Sequence, residues 1–167
     1  MTPLLAEQSP IKTARLHLRA LGVDDAGAFR SMTDEPAITD NIHFLTTPFS
    51  LADARKLIEG DGDGRDCFWG VWRRDSDVLI GTVGTHLRGT DEIEIGYWFA
   101  SSAHGLGFGT EAVAAIVGTL RRAYADRLIF AECRPENQAS WRLLEKAGFR
   151  GDGRAGQRSG RKRLALS

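Results

Sequence analysis

The stretch AHGLGFGTEAVAAIVGTL, residues 103–120, decides the fold of this chain. Its three glycines, Gly105, Gly107 and Gly109, come directly before a run whose apolar residues recur at helical spacing. Glycines at a helix start suit a tight turn because they adopt conformations that other residues avoid. They also suit a dinucleotide-binding turn or a binding loop for another phosphate, because unpaired N–H groups at a helix start attract anions. The glycines alone leave these three interpretations open.

Two common phosphate-binding motifs fit this stretch poorly. The dinucleotide turn has the pattern G-x-G-x-x-G and opens a βαβ unit, whereas this chain has G-x-G-x-G after segments typical of an antiparallel meander. A Walker loop places Lys and then Ser or Thr after its last glycine, but Gly109 is followed by Thr110 and Glu111. A tight connection and a cradle for a different phosphate fit better.

Length and charge favour one ordinary domain. The chain has 167 residues, so we expect a single domain over 1–167. Its 22 Lys plus Arg balance 22 Asp plus Glu, which gives no general attraction for nucleic acid or an anionic membrane. No apolar run is long enough to span a bilayer, and the first residues lack a secretory signal, which predicts a cytoplasmic location. Cys67 and Cys133 are interpreted as reduced core residues, with a disulfide as the alternative.

The order of the predicted elements indicates an α/β (α+β) protein. Apolar patterning predicts strands at RLHLRAL, CFWGVWRR, VLIGTVGTHL and EIEIGYWFA, and RLIFAECR is typical of a short central strand. Helices are predicted after RLHLRAL, at SLADARKLIEG, after the glycines, and at NQASWRLLEKAG with Asn137 as its cap. The C-terminal residues predict two edge strands around a Gly/Arg loop. The order β–α–α–β–β–β–α–β–α–β–β predicts a mixed sheet covered by helices.

Four pieces of the chain carry a family resemblance. TARLHLRAL, EIEIGYWF, HGLGFGTEA and NQASWRLLEKAGF occur in this order and cover most of the sequence. The set resembles the GNAT superfamily of acyl-CoA-dependent N-acyltransferases. It looks most like the branch that acetylates the N-terminal alanine or serine of ribosomal proteins. The resemblance implies a central mixed, mostly antiparallel sheet that is splayed in the middle, with helices on both faces. It also implies acetyl-CoA as co-substrate and no metal.

The resemblance further implies where acetyl-CoA would bind. Its pyrophosphate would lie against the amides at the helix start, and its pantetheine arm would pair with the strand end at residues 97–100, where Gly96 would suit a bulge. The implied cofactor contacts are Tyr97, Trp98, Phe99, His104, Gly105, Leu106, Gly107, Phe108, Gly109, Thr110, Asn137 and Ser140. The alternatives are that His104 is an exposed loop residue and that the aromatic residues are ordinary strand positions.

Attack on a thioester requires a neutral amine. The pKa of an α-amino group is about 8 and that of a lysine is about 10.4, so an N-terminal amine needs less help from a base. Glu92 and Glu94 lie on one face of their strand, and Glu94 is the favoured base, with His86 as a more distant candidate. A solvated strand face is an equally good interpretation of the two carboxylates.

Departure of the thiolate benefits from a proton donor. Many members of the superfamily have a tyrosine in the helix after the asparagine, but Leu144 stands at that place here. The ribosomal-protein branch has a serine three residues after the asparagine. Asn137 and Ser140 match that spacing, which implies that Ser140 contacts or protonates the sulfur and that Asn137 bonds the pantetheine. A helix cap followed by a first-turn serine is the local alternative.

The reaction that the resemblance implies is acetyl transfer from acetyl-CoA to a primary amine, by direct attack in a ternary complex. The acceptor would be a protein N-terminus or a small molecule. A non-catalytic CoA-binding or interaction module with the same fold is one alternative, and a different nucleotide-binding enzyme is another.

The other partners are set mainly by charge. We expect no membrane and no direct nucleic-acid partner, and both a monomer and a homodimer are compatible with the sequence. The Arg/Gly-rich segment 150–163 is interpreted as a solvated hairpin loop. Its alternative is a rim that favours acidic acceptors or ribosomal RNA.

Overall fold

A single sheet of eight strands organises the computed structural model, which describes residues 4–166. The strands are β1 (Ile11–Lys12), β2 (Leu16–Ala20), β3 (Asp66–Arg73), β4 (Leu79–Arg88), β5 (Glu92–Phe99), β6 (Leu128–Cys133), β7 (Phe149–Ala155) and β8 (Lys162–Leu166). Their order is β1-β2-β3-β4-β5-β6-β8-β7, and each neighbouring pair is antiparallel except β5 and β6. The predicted mixed, mostly antiparallel sheet is confirmed.

Helices cover both faces of this sheet, as predicted. On one face lie α1 (Ala26–Thr33), α2 (Pro36–Thr39) and α3 (Leu51–Glu59), and on the other lie α4 (Phe108–Ala123) and α5 (Gln138–Lys146). Helix α3 begins at a reciprocal cap, in which Ser50 Oγ accepts from the N–H of Asp53 and the Asp53 carboxylate accepts from the N–H of Ser50. Asn137 caps α5, because its Oδ1 accepts from the N–H of Ser140.

The two faces carry separate cores because successive strand residues point to opposite sides. On β3, Cys67, Trp69 and Val71 pack towards α4 and α5, whereas Phe68 packs towards α1–α3 beside Phe29. Trp69 and Phe29 are completely buried. The central strands are therefore held on both sides, which fixes the position of any side chain that they carry.

The C-terminal hairpin differs from its prediction. β8 lies between β6 and β7, so β7 alone forms that edge of the sheet. Leu164 on β8 is completely buried, which explains why the strand enters the sheet and does not close it. β1 and α2 were not predicted either. They have two and four residues, too few for a periodic pattern.

The sheet opens between β5 and β6. Their parallel pairs run from Glu92–Leu128 to Ile95–Ala131, although both strands continue beyond that point. From there on, β5 pairs with β4 and β6 pairs with β8. The predicted splaying is confirmed. The bulge expected at Gly96 is wrong, because the register of β5 on β4 has no shift, and the strands separate simply by ending their pairing.

Candidate active site

Within residues 4–166, the amides of the glycine loop are left without hydrogen-bond partners at the start of α4. Gly105 and Gly107 have φ of +76° and +82°, in the left-handed region that favours glycine, and Gly107 directly precedes the helix. The first hydrogen bond of α4 runs from the N–H of Glu111 to the carbonyl of Gly107, at 3.1 Å. Across residues 4–166, the N–H groups of residues 105–110 donate no hydrogen bond. These amides therefore form a potential anion site at the positive end of α4.

Arg15, in the turn before β2, holds this loop in place. Its Nη1 donates to the carbonyl of Leu106 at 2.8 Å, and its Nε donates to Glu111 at 2.8 Å. Glu111 also accepts from the hydroxyl of Thr13 and the N–H of Arg15, so the first turn of α4 is tied to the turn before β2. Because a trans peptide points its C=O and the next N–H in opposite directions, the bond to Leu106 turns the N–H of Gly107 away from Arg15. Sequence reasoning missed this residue.

Two further contacts fix the loop. Nε2 of His104 lies 3.0 Å from the carbonyl of Phe99, which places the loop at the open end of β5. A Cβ on Gly109 would lie 2.6 Å from Cδ1 of Leu143, so glycine at this position lets α5 approach α4. His104 is thus an exposed residue with a structural contact, and the tight connection and the unpaired amides are two properties of one loop.

The three aromatic residues at the end of β5 have different surroundings. Tyr97 and Phe99 point to the core beneath α4 and α5. Trp98 points to the other core, where its Nε1 donates to the hydroxyl of Thr33 at 3.0 Å and its ring stacks on Phe29. The side chain of Trp98 is therefore an ordinary core residue, and only its backbone lies at the opening.

A pair of hydroxyls spans the opening. Oη of Tyr97 lies 2.6 Å from Oγ of Ser140, at the start of α5. Burial raises the pKa of Tyr97 far above its ordinary value, so the phenol stays protonated. Leu144, which stands where many members of the superfamily have a tyrosine, is buried. The phenol of Tyr97 nevertheless reaches Ser140 from β5, a contact that the family resemblance did not predict. Asn137 acts locally as the helix cap.

The carboxylates of β5 are paired with arginines. Glu94, whose side chain is 7% exposed, accepts from Arg88 at 2.9 Å and from Arg158 at 2.7 Å. Burial alone would raise the pKa of Glu94, but the hydrogen bonds and charges of Arg158 and Arg88 outweigh it and hold that pKa below its ordinary value. Glu92 accepts from Arg163 at 2.5 Å. Neither carboxylate lies on a freely solvated strand face, and Glu94 is a poor proton acceptor in this arrangement.

The Gly/Arg-rich segment is only partly the solvated loop that its composition predicted. Arg158 reaches inward from the β7–β8 connection, binds Glu94, and lies 3.4 Å from the Glu132 carboxylate on β6. Its Nε also lies 3.3 Å from Nε2 of His43, in the segment after α2. The arginine therefore bridges the two strands that part at the opening, on the face of the sheet that α1–α3 cover.

The structure thus brings the predicted site residues together in two groups. The glycine loop, Tyr97 and Ser140 border the opening on the α4/α5 face, while Glu92 and Glu94 lie on the α1–α3 face. In residues 4–166, no three or more His, Cys, Asp or Glu side chains are grouped as a metal site. None of the described helices is long and apolar enough to cross a membrane.

Comparisons with known proteins agree with this geometry. The model of the acetyltransferase (GNAT) domain family matches residues 15–150. The uncharacterized N-acetyltransferase YoaA of Bacillus subtilis (strain 168) is 31% identical over 149 residues, 86% of this chain and 84% of that protein. An acetyltransferase (GNAT family) from Bacillus anthracis superposes with a TM-score of 0.80 at 23% identity, over 95% of this chain and 98% of that one. RimL, a ribosomal L7/L12 α-N-protein acetyltransferase in complex with coenzyme A, superposes with a TM-score of 0.82 at 19% identity, over 94% and 97%. The chain therefore belongs to the GNAT family and is an acyl-CoA-dependent acetyltransferase.

Proposed function

We propose that this chain transfers the acetyl group of acetyl-CoA to a primary amine by direct attack in a ternary complex. The observation that carries the proposal is the opening between β5 and β6, which ends beside a loop whose amides donate no hydrogen bond within residues 4–166. A diphosphate fits such amides because they carry the positive end of α4. The structural neighbour RimL, described in complex with coenzyme A, supports the same choice of ligand.

In this proposal the backbone does most of the binding. The amides of 106–110 hold the pyrophosphate, and the unpaired edge of β5 beyond Ile95 hydrogen-bonds the pantetheine amides as an added strand would. Trp98 and Phe99 contribute through their main chain, since their side chains are buried in the two cores. Asn137 serves mainly as the cap that positions Ser140.

The transfer step needs one proton removed and one supplied. The amine nitrogen attacks the thioester carbonyl carbon, the C–N bond forms as the C–S bond breaks, and the amine gives up one proton. The departing sulfur takes the electron pair of the C–S bond and a proton that the Ser140–Tyr97 hydroxyl pair delivers. Cys67 and Cys133 are buried, and burial raises the pKa of both thiols, that of Cys67 to about 12. This supports direct transfer over an acyl-cysteine intermediate.

The acceptor that we propose is an α-amine of a peptide N-terminus or a small-molecule amine of similar basicity. An amine with a pKa of about 8 is partly neutral at physiological pH and needs only a moderate base. A single domain over 1–167 and a cytoplasmic location belong to the same proposal. The two buried, unpaired thiols are consistent with a reducing compartment.

The test is an acetyl-CoA-dependent screen read by thiol release, with short peptides that begin with Ser or Ala, spermidine, and amino acids as acceptors. Thermal unfolding with coenzyme A, NAD and ATP runs beside it. Stabilisation by coenzyme A together with turnover of an amine supports the proposal. Stabilisation without turnover favours the non-catalytic module, and stabilisation by NAD or ATP alone favours another nucleotide-binding enzyme.

A further inference from the structure

An exposed glycine lies on the α1–α3 face of the sheet, beside the opening between β5 and β6. Gly84 on β4 and Gly96 on β5 are directly opposite each other. Gly96 is exposed although β5 is an interior strand of the sheet, and a Cβ built on it would have no heavy atom within 4 Å. A residue one position after the last β5–β6 pair is thus reachable from solvent. Gly84 itself is buried beneath His86 and Phe68, and we call the free space over Gly96, beside these two rings, the Gly84–Gly96 opening.

His86 covers Gly84 and borders this opening. Its ring packs edge-on against Phe68, and a Cβ on Gly84 would lie 2.7 Å from its Nε2. Because β4 runs antiparallel to β5, the direction from His86 towards Gly84 is also the direction in which β5 parts from β6. Nε2 therefore points to the end of the opening where a thioester held between the strands would be reached.

Asp66 fixes the tautomer of this ring. Nδ1 of His86 lies 2.6 Å from Oδ1 of Asp66, which is directly opposite it on β3. The hydrogen bond from His86 holds the pKa of Asp66 below its ordinary value, so the carboxylate stays ionised and can only accept. The proton of the neutral ring then lies on Nδ1, and Nε2 keeps a lone pair. Among the described residues, no hydrogen bond to Nε2 is recorded.

The neighbouring carboxylate is less suited to accept a proton. Each oxygen of Glu94 already accepts from a guanidinium, one from Arg88 and one from Arg158. Protonation of Glu94 would leave two positive charges facing a neutral acid. Asp66 on β3 and Glu94 on β5 lie directly opposite His86. Arg65 and Arg88 act on the charge of Asp66, and Arg158 binds Glu94 and contacts His43.

We propose that Nε2 of His86 is the base that takes the proton from the attacking amine, and that the acceptor enters over the Gly84–Gly96 opening. Asp66 is a positioning residue that stabilises the imidazolium formed. As the C–N bond forms, the proton moves from nitrogen to Nε2 and later to solvent, while the electron pair of the C–S bond goes to sulfur. The inference rests on the proposed acetyl transfer and adds the base and the acceptor's side of entry.

The experiment measures how kcat/KM for a hexapeptide with a free N-terminal serine depends on pH, with acetyl-CoA at a saturating concentration. When both the amine and His86 must be neutral, log kcat/KM falls on the acid side with a slope of about 2, and His86→Gln reduces the slope to about 1. His86→Gln should lower kcat/KM by about a hundredfold, and Asp66→Asn by at least about tenfold, with Asp66→Glu recovering part of the loss. His17→Gln, on β2, is the histidine control. The affinity for acetyl-CoA, measured by calorimetry, should not change.

The possible failures differ in what they overturn. If the wild-type protein transfers acetyl to the peptide and His86→Gln keeps its rate and slope, the inference is wrong and the proposed function stands. If the wild-type protein transfers to no amine, both are wrong. Should His86→Gln fail to fold, Asp66→Asn retains the ring and decides by its rate, which should fall by at least about tenfold and recover in part in Asp66→Glu. An unchanged rate in Asp66→Asn would then reject the dyad.

Discussion

The side-chain hydroxyls of Tyr97 and Ser140 lie 2.6 Å apart, and this contact joins β5 to α5 where the sheet has already opened. Tyr97 stands on the part of β5 that has lost its parallel partner, and Ser140 lies in the first turn of α5. Two hydroxyls in contact form a short relay, because each can donate one hydrogen bond while it accepts another. A sulfur released at the opening would therefore have a proton within reach.

Removal of either hydroxyl should slow the reaction more than it weakens binding. We expect Tyr97→Phe and Ser140→Ala each to lower kcat by about tenfold to a hundredfold, with a smaller change in the KM for acetyl-CoA. Because the two groups act as one relay, the double variant should be little worse than the poorer single variant. Steady-state kinetics on the four proteins of this cycle measure the coupling.

The control for the relay is Tyr124→Phe, which removes a phenol just after α4, away from the opening. Its kcat should equal that of the wild-type protein. Losses that simply add in the double variant would show that Tyr97 and Ser140 do not cooperate. A normal kcat in both single variants would remove the hydroxyls from the mechanism.

The charge of the bound diphosphate can be tested at Gly107. Its φ of +82° means that any side chain there is strained, by about 1 kcal/mol or more. Asp and Asn have nearly the same shape and similar tolerance of this conformation, so they share the strain and differ in charge. Gly107→Asp should raise the Kd of acetyl-CoA by at least about tenfold relative to Gly107→Asn, although Arg15 will offset part of the charge.

Calorimetry with each protein gives the two dissociation constants, and thermal unfolding confirms that both variants are folded to the same extent. The difference should shrink as salt is added, because the loop is exposed and its charges are screened. Equal dissociation constants for the two variants would move the diphosphate away from this loop.

Local features explain why most of the fold could be predicted. The strands of the meander and the glycine loop follow from patterns within a few residues, and these patterns were enough for the order of the longer elements and for the family resemblance. The opening between β5 and β6 came from the resemblance, since no local pattern marks where two strands stop pairing. The position of β8 between β6 and β7 was missed because the sequence of a hairpin does not show which of its two strands pairs with the rest of the sheet.

The contacts that complete the site could not be predicted because they join distant residues. Tyr97 and Ser140 are 43 positions apart, Arg15 and Leu106 are 91 apart, and Arg158 and Glu94 are 64 apart. A side chain in a sequence shows which charges or hydroxyls are available, but only the fold decides which partners neutralise them. The sequence favours Glu94 as the base for this reason, whereas in the fold Arg88 and Arg158 each bind one of its oxygens.

Arg15 should matter more for cofactor affinity than for stability. Its side chain is largely exposed, so the ion pair with Glu111 contributes no more than about 1 kcal/mol to folding. The bond to the carbonyl of Leu106 orients the loop, and its loss in Arg15→Gln should raise the Kd of acetyl-CoA by about tenfold. Arg15→Lys keeps the charge without the planar fork and should recover only part of the affinity. Calorimetry and thermal unfolding give both quantities, and an unchanged Kd in Arg15→Gln would contradict the proposed role.

The ion pairs of Glu94 predict how stability depends on pH. Arg158 and Arg88 hold the folded-state pKa of Glu94 below the ordinary value of about 4.3, so the unfolded chain binds a proton at a higher pH than the folded one. The stabilisation is therefore fully present above that ordinary value and is lost as the pH falls through the lower, folded-state pKa. Glu94→Gln should remove this part of the pH dependence.

Urea unfolding of the wild-type protein and Glu94→Gln at several pH values between about 3 and 7 measures the effect. Near neutral pH the variant should be less stable by about 1–2 kcal/mol, because two partly exposed guanidinium groups lose their carboxylate. Towards acid the two stability curves should converge. The matched control is Glu145→Gln on α5, where the carboxylate is exposed. Curves for wild type and Glu94→Gln that stay parallel down to acid would mean that Arg88 and Arg158 do not hold Glu94 ionised, and the argument against Glu94 as the base would fall with them.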